Sequence, residues 1–171
     1  MNIFIWSQFN NESNNKVITD VIKSEHEAKG DVVYNLVAED ATLDEASIAK
    51  YQEELKKADF VYINYPIHWG SYPNKLKATI DSVLTYGFAY EYTPEGMPNG
   101  LLFGKKAKII TTSGHPNEYY VDQLKAIHYL TEKTLLGFVG IETVSAINFG
   151  GKTHGKTEGF PIEEIKSFVN N

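Results

Sequence analysis

The sequence predicts an α/β protein built on one doubly wound, five-stranded parallel sheet in the order 2-1-3-4-5, with helices on both faces. Three observations lead there. Short apolar runs alternate with amphipathic ones along all 171 residues. The first apolar run, residues 2–6, carries apolar residues on both faces, as strands of a parallel sheet covered on both sides do. The amphipathic runs space their apolar residues at i, i+3 and i+4, as helices packed on a sheet do. Right-handed crossovers then leave few topologies, and the 2-1-3-4-5 order is the natural one.

Residues 2–6 read as the first strand. Residues 15–29 form the first helix, with Ile18, Val21 and Ile22 on one face, and Gly30 sits where a C-terminal cap belongs. Residues 31–37 are the second strand. Residues 44–57 are the second helix, with Ile48, Tyr51 and Leu55 aligned. Residues 60–65 are the third strand. Residues 73–86 are the third helix, opened by Pro73 and striped by Leu76, Ile80, Val83 and Leu84. Residues 107–112, 117–136 and 140–149 are the fourth strand, fourth helix and fifth strand. Residues 161–170 close the chain as a helix. Residues 91–106, with Pro94, Gly96, Pro98, Gly100 and Gly104, read as the longest loop. No repeat or linker interrupts the pattern, so residues 1–171 are expected to form a single domain.

Composition excludes several functions. A net charge of -6 argues against nucleic-acid binding, which needs a basic face to displace counterions. The absence of cysteine excludes disulfides, thiolate nucleophiles and thiolate metal sites. His26, His128 and His154 have no metal-ligand spacing, so no metal is expected. No apolar run approaches the roughly 18 residues that span a bilayer. The first residues lack a basic signal-peptide region. A soluble, cytoplasmic protein is the expectation.

In a sheet of this order, ligands bind beyond the strand ends where the winding direction reverses. The loops after the first, third and fourth strands should converge there. The first carries Ser7, Ser13, Asn14 and Asn15. Hydroxyl and amide donors beside a helix N-terminus suit a phosphate, and the same residues also suit a plain helix cap. It holds neither a dinucleotide fingerprint nor a P-loop. Glu12 should point away from any phosphate. The second loop offers Pro66, Ile67, His68, Trp69 and Gly70: an apolar wall and backbone donors for a flat ring, or a turn with one packing tryptophan. The third offers Thr111, Thr112, Ser113 and Gly114, which permit close backbone approach, then Tyr119, whose hydroxyl could donate to a carbonyl or developing anion. It is equally a strand-to-helix turn.

Pro66-x-x-Trp69, Pro73-x-x-Leu76-Lys77, Ile80-Asp81-x-Val83 and Tyr86-Gly87-Phe88-Ala89-Tyr90 follow one another in order. Leu102-x-Gly104-Lys105-Lys106-Ala107, Thr111-Thr112-x-Gly114 and Tyr119 continue the series, and Ser13-x-Asn15-Lys16 precedes it. With these motifs the chain resembles the flavodoxin-like NAD(P)H quinone reductase family, the branch of DT-diaphorase, potassium-efflux ancillary oxidoreductases and modulators of drug activity. The resemblance implies a bound flavin, NAD(P)H as co-substrate and two-electron ping-pong reduction of quinones or similar electrophiles. An ancillary subunit of a cation-efflux transporter, or an electron shuttle, is the alternative it leaves. It implies phosphate contacts from Ser7, Ser13, Asn14 and Asn15. Pro66 to Gly70 and Thr111 to Gly114 would line the ring. Tyr119 would stabilise the reduced ring as the catalytic residue. It implies FMN, with FAD as the alternative, because the longer C-terminal extension of the FAD-binding branch is missing. It also implies a homodimer packed through the region from Gly87 to Tyr92. Ser113 replaces a frequent second glycine, Lys125 stands where one branch has a histidine, and Gly70 replaces an aromatic residue and should widen the pocket.

Overall fold

A computed structural model describes residues 1–152 and 158–171; His154 lies outside the described residues. Strands β1 (Asn2–Ser7), β2 (Val32–Val37), β3 (Phe60–Pro66), β6 (Lys106–Thr112) and β7 (Glu142–Phe149) form one sheet in the order β2-β1-β3-β6-β7. Every neighbouring pair is parallel. This is the expected 2-1-3-4-5 sheet. Helices α1 (Asn14–Glu27) and α5 (Ile162–Asn170) cover one face, and α2 (Glu45–Lys57) and α3 (Asn74–Val83) the other.

The two-residue period of a strand divides the core in two. Phe4, Trp6, Val61, Ile63 and Ile109 point towards α2 and α3. Ile3, Ile5, Tyr62 and Ile110 point towards α1 and α5, where they meet Ile18, Ile22, Ile165 and Val169. Trp6 keeps its ring N–H satisfied on burial by donating to Thr79 Oγ1 at 2.8 Å. Gly30, with φ +79°, closes α1: its N–H donates to the Glu27 carbonyl and the Asp31 N–H to the His26 carbonyl. This is the glycine-dependent closure that the sequence pattern suggests. Asp44 caps α2 by accepting from the Ser47 N–H at 2.9 Å.

Two regions depart from expectation. Residues 91–106 are not a plain loop: β4 (Tyr90–Tyr92) and β5 (Pro98–Gly100) pair antiparallel. Gly100 permits this hairpin to dock, because a Cβ there would lie 2.4 Å from the Val139 carbonyl carbon. The fourth helix is not continuous over 117–136. A 3-10 turn at Asn117–Tyr119 precedes α4 (Val121–Tyr129), and a π-helical segment follows over Leu130–Leu136. The wide turn brings Thr131 beneath the sheet, where Tyr72 donates to its hydroxyl at 2.9 Å and Tyr65 meets it at 3.0 Å. Local propensity does not signal this change of pitch, which accompanies a long-range pairing of Thr131 with both tyrosine hydroxyls. No helix among the described residues is long and apolar enough to cross a membrane.

At the far end from the strand C-termini, His26 is buried between Asp31 Oδ2 at 2.7 Å and Tyr62 Oη at 2.9 Å. The Met1 ammonium, and after it the His26 ring, hold the Asp31 carboxyl below its ordinary value of 3.8. A lowered folded pKa stabilises the protein above the unfolded value, and that contribution disappears as the pH falls through the folded one. Asp31→Asn should therefore lower the urea midpoint at pH 7, and the gap to wild type should close as the pH is taken well below 3.8. A constant gap across that range would show that the charge plays no part.

Candidate active site

The strand ends at the switch point open on a cavity of about 570 Å3. All three expected loops reach it. Ser13, Asn14 and Asn15 line it from the first, Pro66, Ile67 and His68 from the second, and Thr112, Ser113 and Gly114 from the third. Its volume lies within the range of small-molecule sites.

A buried amide clasp holds the first loop. Asn15 Nδ2 donates to Asn64 Oδ1 at 2.8 Å, and Asn64 Nδ2 donates to the Asn15 carbonyl at 2.7 Å and to Thr19 Oγ1 at 2.9 Å. Thr112 Oγ1 donates to Asn15 Oδ1 at 2.7 Å. The first turn of α1 is thus bolted to β3 and β6 together. Ser13 caps the helix by accepting from the Asn15 N–H at 3.1 Å. Glu12 is exposed, as expected of a residue turned away from an anion.

The second loop is a tight turn closed by reciprocal hydrogen bonds between His68 and Ser71, at 3.0 and 2.9 Å. Its two central residues, Trp69 (φ 51°) and Gly70 (φ 74°), both take positive φ, as such turns demand. Trp69 is the described non-glycine residue with positive φ, and its ring is fully exposed. It projects from the rim and is not part of the cavity lining. Gly70 also stands outside the lining; a Cβ there would meet only Tyr120 Oη, at 4.0 Å.

The third loop is held from beneath. The Asn148 amide lies 2.8 Å from Thr111 Oγ1, 3.0 Å from Ser113 Oγ and 2.7 Å from Asn117 Oδ1. Thr111 is fully buried, points to the opposite face from Thr112 and pairs with His128 Nε2 at 2.9 Å. Burial lowers the pKa of His128, which favours its neutral form. Ser7 is also fully buried behind the lining, and its carbonyl accepts from the Ala38 N–H. Tyr119 is 77% exposed and outside the lining, whereas its neighbour Tyr120 stacks on His115 at 6.0 Å.

Sequence reasoning passed over several residues here. Gln8 and Glu39 line the cavity: Gln8 Nε2 donates to Glu39 Oε2 at 2.7 Å, and Lys75 pairs with Glu39 Oε1 at 2.5 Å. Lys75 first, then Gln8, hold the Glu39 carboxyl below its ordinary range. Gln8 follows β1, Glu39 follows β2 and Lys75 lies in the first turn of α3, so no local spacing reveals them. Lys152, after β7, completes the lining. Asn64 did leave a signal: a lone amide inside the apolar run of β3.

A flavodoxin-like α/β sheet with a preorganised cavity at its switch point is the class that fold and site define. The chain belongs to the Flavodoxin_2 family, described as flavodoxin-like fold, whose profile matches residues 2–165. Among curated relatives it is 42% identical over 103 residues to an FMN-dependent NADH:quinone oxidoreductase of Hydrogenovibrio crunogenus, covering 59% of this chain and 50% of that protein. It is 38% identical over 122 residues to a protein of the same name from Herminiimonas arsenicoxydans, covering 69% of this chain and 59% of that protein. The chain therefore spans only part of the length of these relatives. Among solved structures, an FMN-dependent NADH-azoreductase from Bacillus anthracis in complex with FMN superposes with a TM-score of 0.74 at 16% identity, covering 99% of this chain and 98% of that one. An NAD(P)H:quinone oxidoreductase from Methanothermobacter marburgensis gives 0.75 at 18% identity, covering 98% and 91%. Those two likenesses are of fold.

Two variants probe the site's construction. Asn64→Leu strands the partners of the amide clasp and should cost about 2 kcal/mol in denaturant melts. Trp69→Asn places a residue tolerant of positive φ in the strained turn and should raise the melting temperature or leave it unchanged. A clear drop would mean that the exposed indole is packed in solution.

Proposed function

We propose that the chain is a flavin-dependent NAD(P)H oxidoreductase that holds FMN at the switch-point cavity and reduces quinones or similar electrophiles by two electrons. The observation that supports this reading is the convergence of three loops of different chemistry on one cavity. A helix N-terminus rich in polar donors faces an apolar, proline-bearing turn and a small-residue loop. That is the division a phosphorylated, flat-ringed ligand needs. The residues fit the group: the α1 terminus is fixed by buried hydrogen bonds independently of any ligand. The names of the curated relatives favour FMN over FAD and NADH as the donor.

In this reading Ser13, Asn14 and Asn15 take the phosphate, with Ser7 supporting them from behind. Pro66, Ile67 and His68 form one side of the ring slot, and Thr112, Ser113 and Gly114 the other. Thr111 fixes the third loop through Asn148. Trp69, Gly70 and Tyr119, all outside the lining, are assigned to the approach by which nicotinamide and acceptor take turns. A flavin held here would supply the two-electron hydride chemistry that links a nicotinamide to the electrophile. The Tyr119 hydroxyl is the donor assigned to charge that develops on the ring. Tyr86 and Tyr92 are exposed and stacked with ring centroids 6.4 Å apart, and this aromatic surface is the proposed contact of a homodimer.

Purified protein should be yellow, release FMN on denaturation and oxidise NADH with a benzoquinone. A colourless protein that takes up neither FMN nor FAD on reconstitution would overturn the proposal. Tyr119→Phe should lower kcat about 10-fold or more while flavin stays bound, as loss of one transition-state donor does. The same loss in Tyr120→Phe, with Tyr119→Phe unaffected, would move the role to the neighbouring tyrosine. Light scattering should give twice the chain mass, and Tyr92→Asp should halve it.

A further inference from the structure

We infer that Lys152 is a phosphate-binding residue of the cavity, its ammonium carried to the anion end of the site by the turn after β7. The inference rests on the flavin mononucleotide reading above and assigns a residue to its phosphate.

The turn that carries Lys152 is locked to the third loop. The Gly151 N–H donates to the His115 carbonyl at 2.9 Å, and the Lys152 N–H donates to the Ser113 carbonyl at 3.0 Å. Gly150 makes so close an approach possible: a Cβ there would lie 2.3 Å from Asn117 Oδ1 and 2.8 Å from the Asn117 nitrogen. The position of Lys152 is therefore set by backbone pairing. Its side chain crosses the Phe160 ring, with Nζ 5.6 Å from the centroid. Phe160 belongs to the core beneath α1 and α5, with Ile18, Ile22 and Ile165. Ile67, from the ring slot, packs on the core of the opposite face. Lys152 thus enters the cavity from the side that carries Ser13, Asn14 and Asn15.

Charge points the same way. Among the described residues Lys152 is the one lysine or arginine lining the cavity, and no carboxylate pairs with it. The Glu39 carboxylate, which also lines the cavity, is already paired with Lys75. An unpaired ammonium resting on an aromatic face, on the same side as a helix N-terminus, complements a phosphate monoester. The helix supplies oriented N–H groups and a partial positive charge, and the lysine a full one. Resting on the ring also restricts the lysine before any anion arrives, which reduces the ordering cost of binding.

The test compares FMN with riboflavin, which differ by the phosphate alone, in titrations of flavin-free protein. Wild type should bind FMN more tightly than riboflavin, with an FMN affinity that falls as salt rises. Lys152→Met should weaken FMN at least 10-fold, flatten that salt dependence and leave riboflavin within about twofold; Lys152→Arg should keep FMN within about threefold of wild type. An unchanged FMN-to-riboflavin ratio in Lys152→Met overturns the assignment. So does an equal loss of both ligands. So does a shift in the midpoint potential of bound FMN with the ratio intact, which would place the ammonium at the ring. Wild-type protein that binds neither flavin overturns the proposed function itself, and the Lys152 role with it.

Discussion

The reciprocal amide pairing of Asn15 with Asn64 is the interaction on which the rest of the site depends. Helix α1 must present its first turn at one height above the sheet for the three strand ends to enclose a cavity. Apolar packing of Ile18 and Ile22 fixes the helix laterally, but it is non-directional and tolerates sliding. Hydrogen bonds to Asn64 on β3 and Thr112 on β6 do not. Each group is buried and each partner satisfied, so a displaced helix would strand several polar atoms at about 1–3 kcal/mol apiece. Specific geometry here comes from the penalty on alternatives more than from the bonds themselves.

The strand period decides what each end of the cavity can contain. Asn64 and Thr112 point towards α1, and their neighbours Tyr65 and Thr111 point the other way. One side of the sheet thereby builds a polar support for the helix N-terminus, while the other ties β3 and β6 to the π-helical segment and α4. Both supports converge on the third loop, which takes Thr112 from one and Ser113, through Asn148, from the other. The second loop is different. Its shape comes from a two-residue turn that holds Trp69 at φ 51°, a conformation costing about 1–2 kcal/mol for an ordinary residue. The rigid loops lie at the depth of the cavity, and the strained one lies at its mouth.

Much of this was legible in the sequence. Apolar residues on both faces of the first run, and five strand-like runs alternating with five helical ones, gave the parallel sheet, and the spacing of Ile18, Val21 and Ile22 or of Leu76, Ile80 and Val83 gave the helix faces. Sheet order followed from handedness, and loop convergence from sheet order. What was illegible was long-range. The π-helical segment answers to Tyr65 and Tyr72, some 60 residues away in sequence. The docked hairpin needs Gly100 against Val139, and Glu39, after β2, finds Lys75 on α3. Ser7 and Thr111 read as ligand contacts because hydroxyl residues in these loops suit a phosphate or close approach to a ring, yet both side chains are fully buried. Trp69 reads as part of an apolar wall for a flat ring; in the structure it sits at φ 51° with its indole fully exposed.

The missing glycine motif in the first loop shapes the electrostatics of the whole cavity. Glycine-rich phosphate loops leave backbone N–H groups unspent, because their residues can wrap an anion without side chains in the way. Here Ser13 already accepts from the Asn15 N–H, so the helix terminus is partly satisfied before any ligand arrives. Such a terminus is stable when empty, and an anion reaching it gains less than one meeting bare N–H groups. The cavity also contains the Glu39 carboxylate, whose field opposes an incoming phosphate until Lys75 screens it. Two features therefore lower the anion affinity of the first loop relative to a glycine-rich one. On the proposed reading, compensation comes from a full positive charge outside that loop, and among the described residues lining the cavity that is the role proposed for Lys152, beside the third loop.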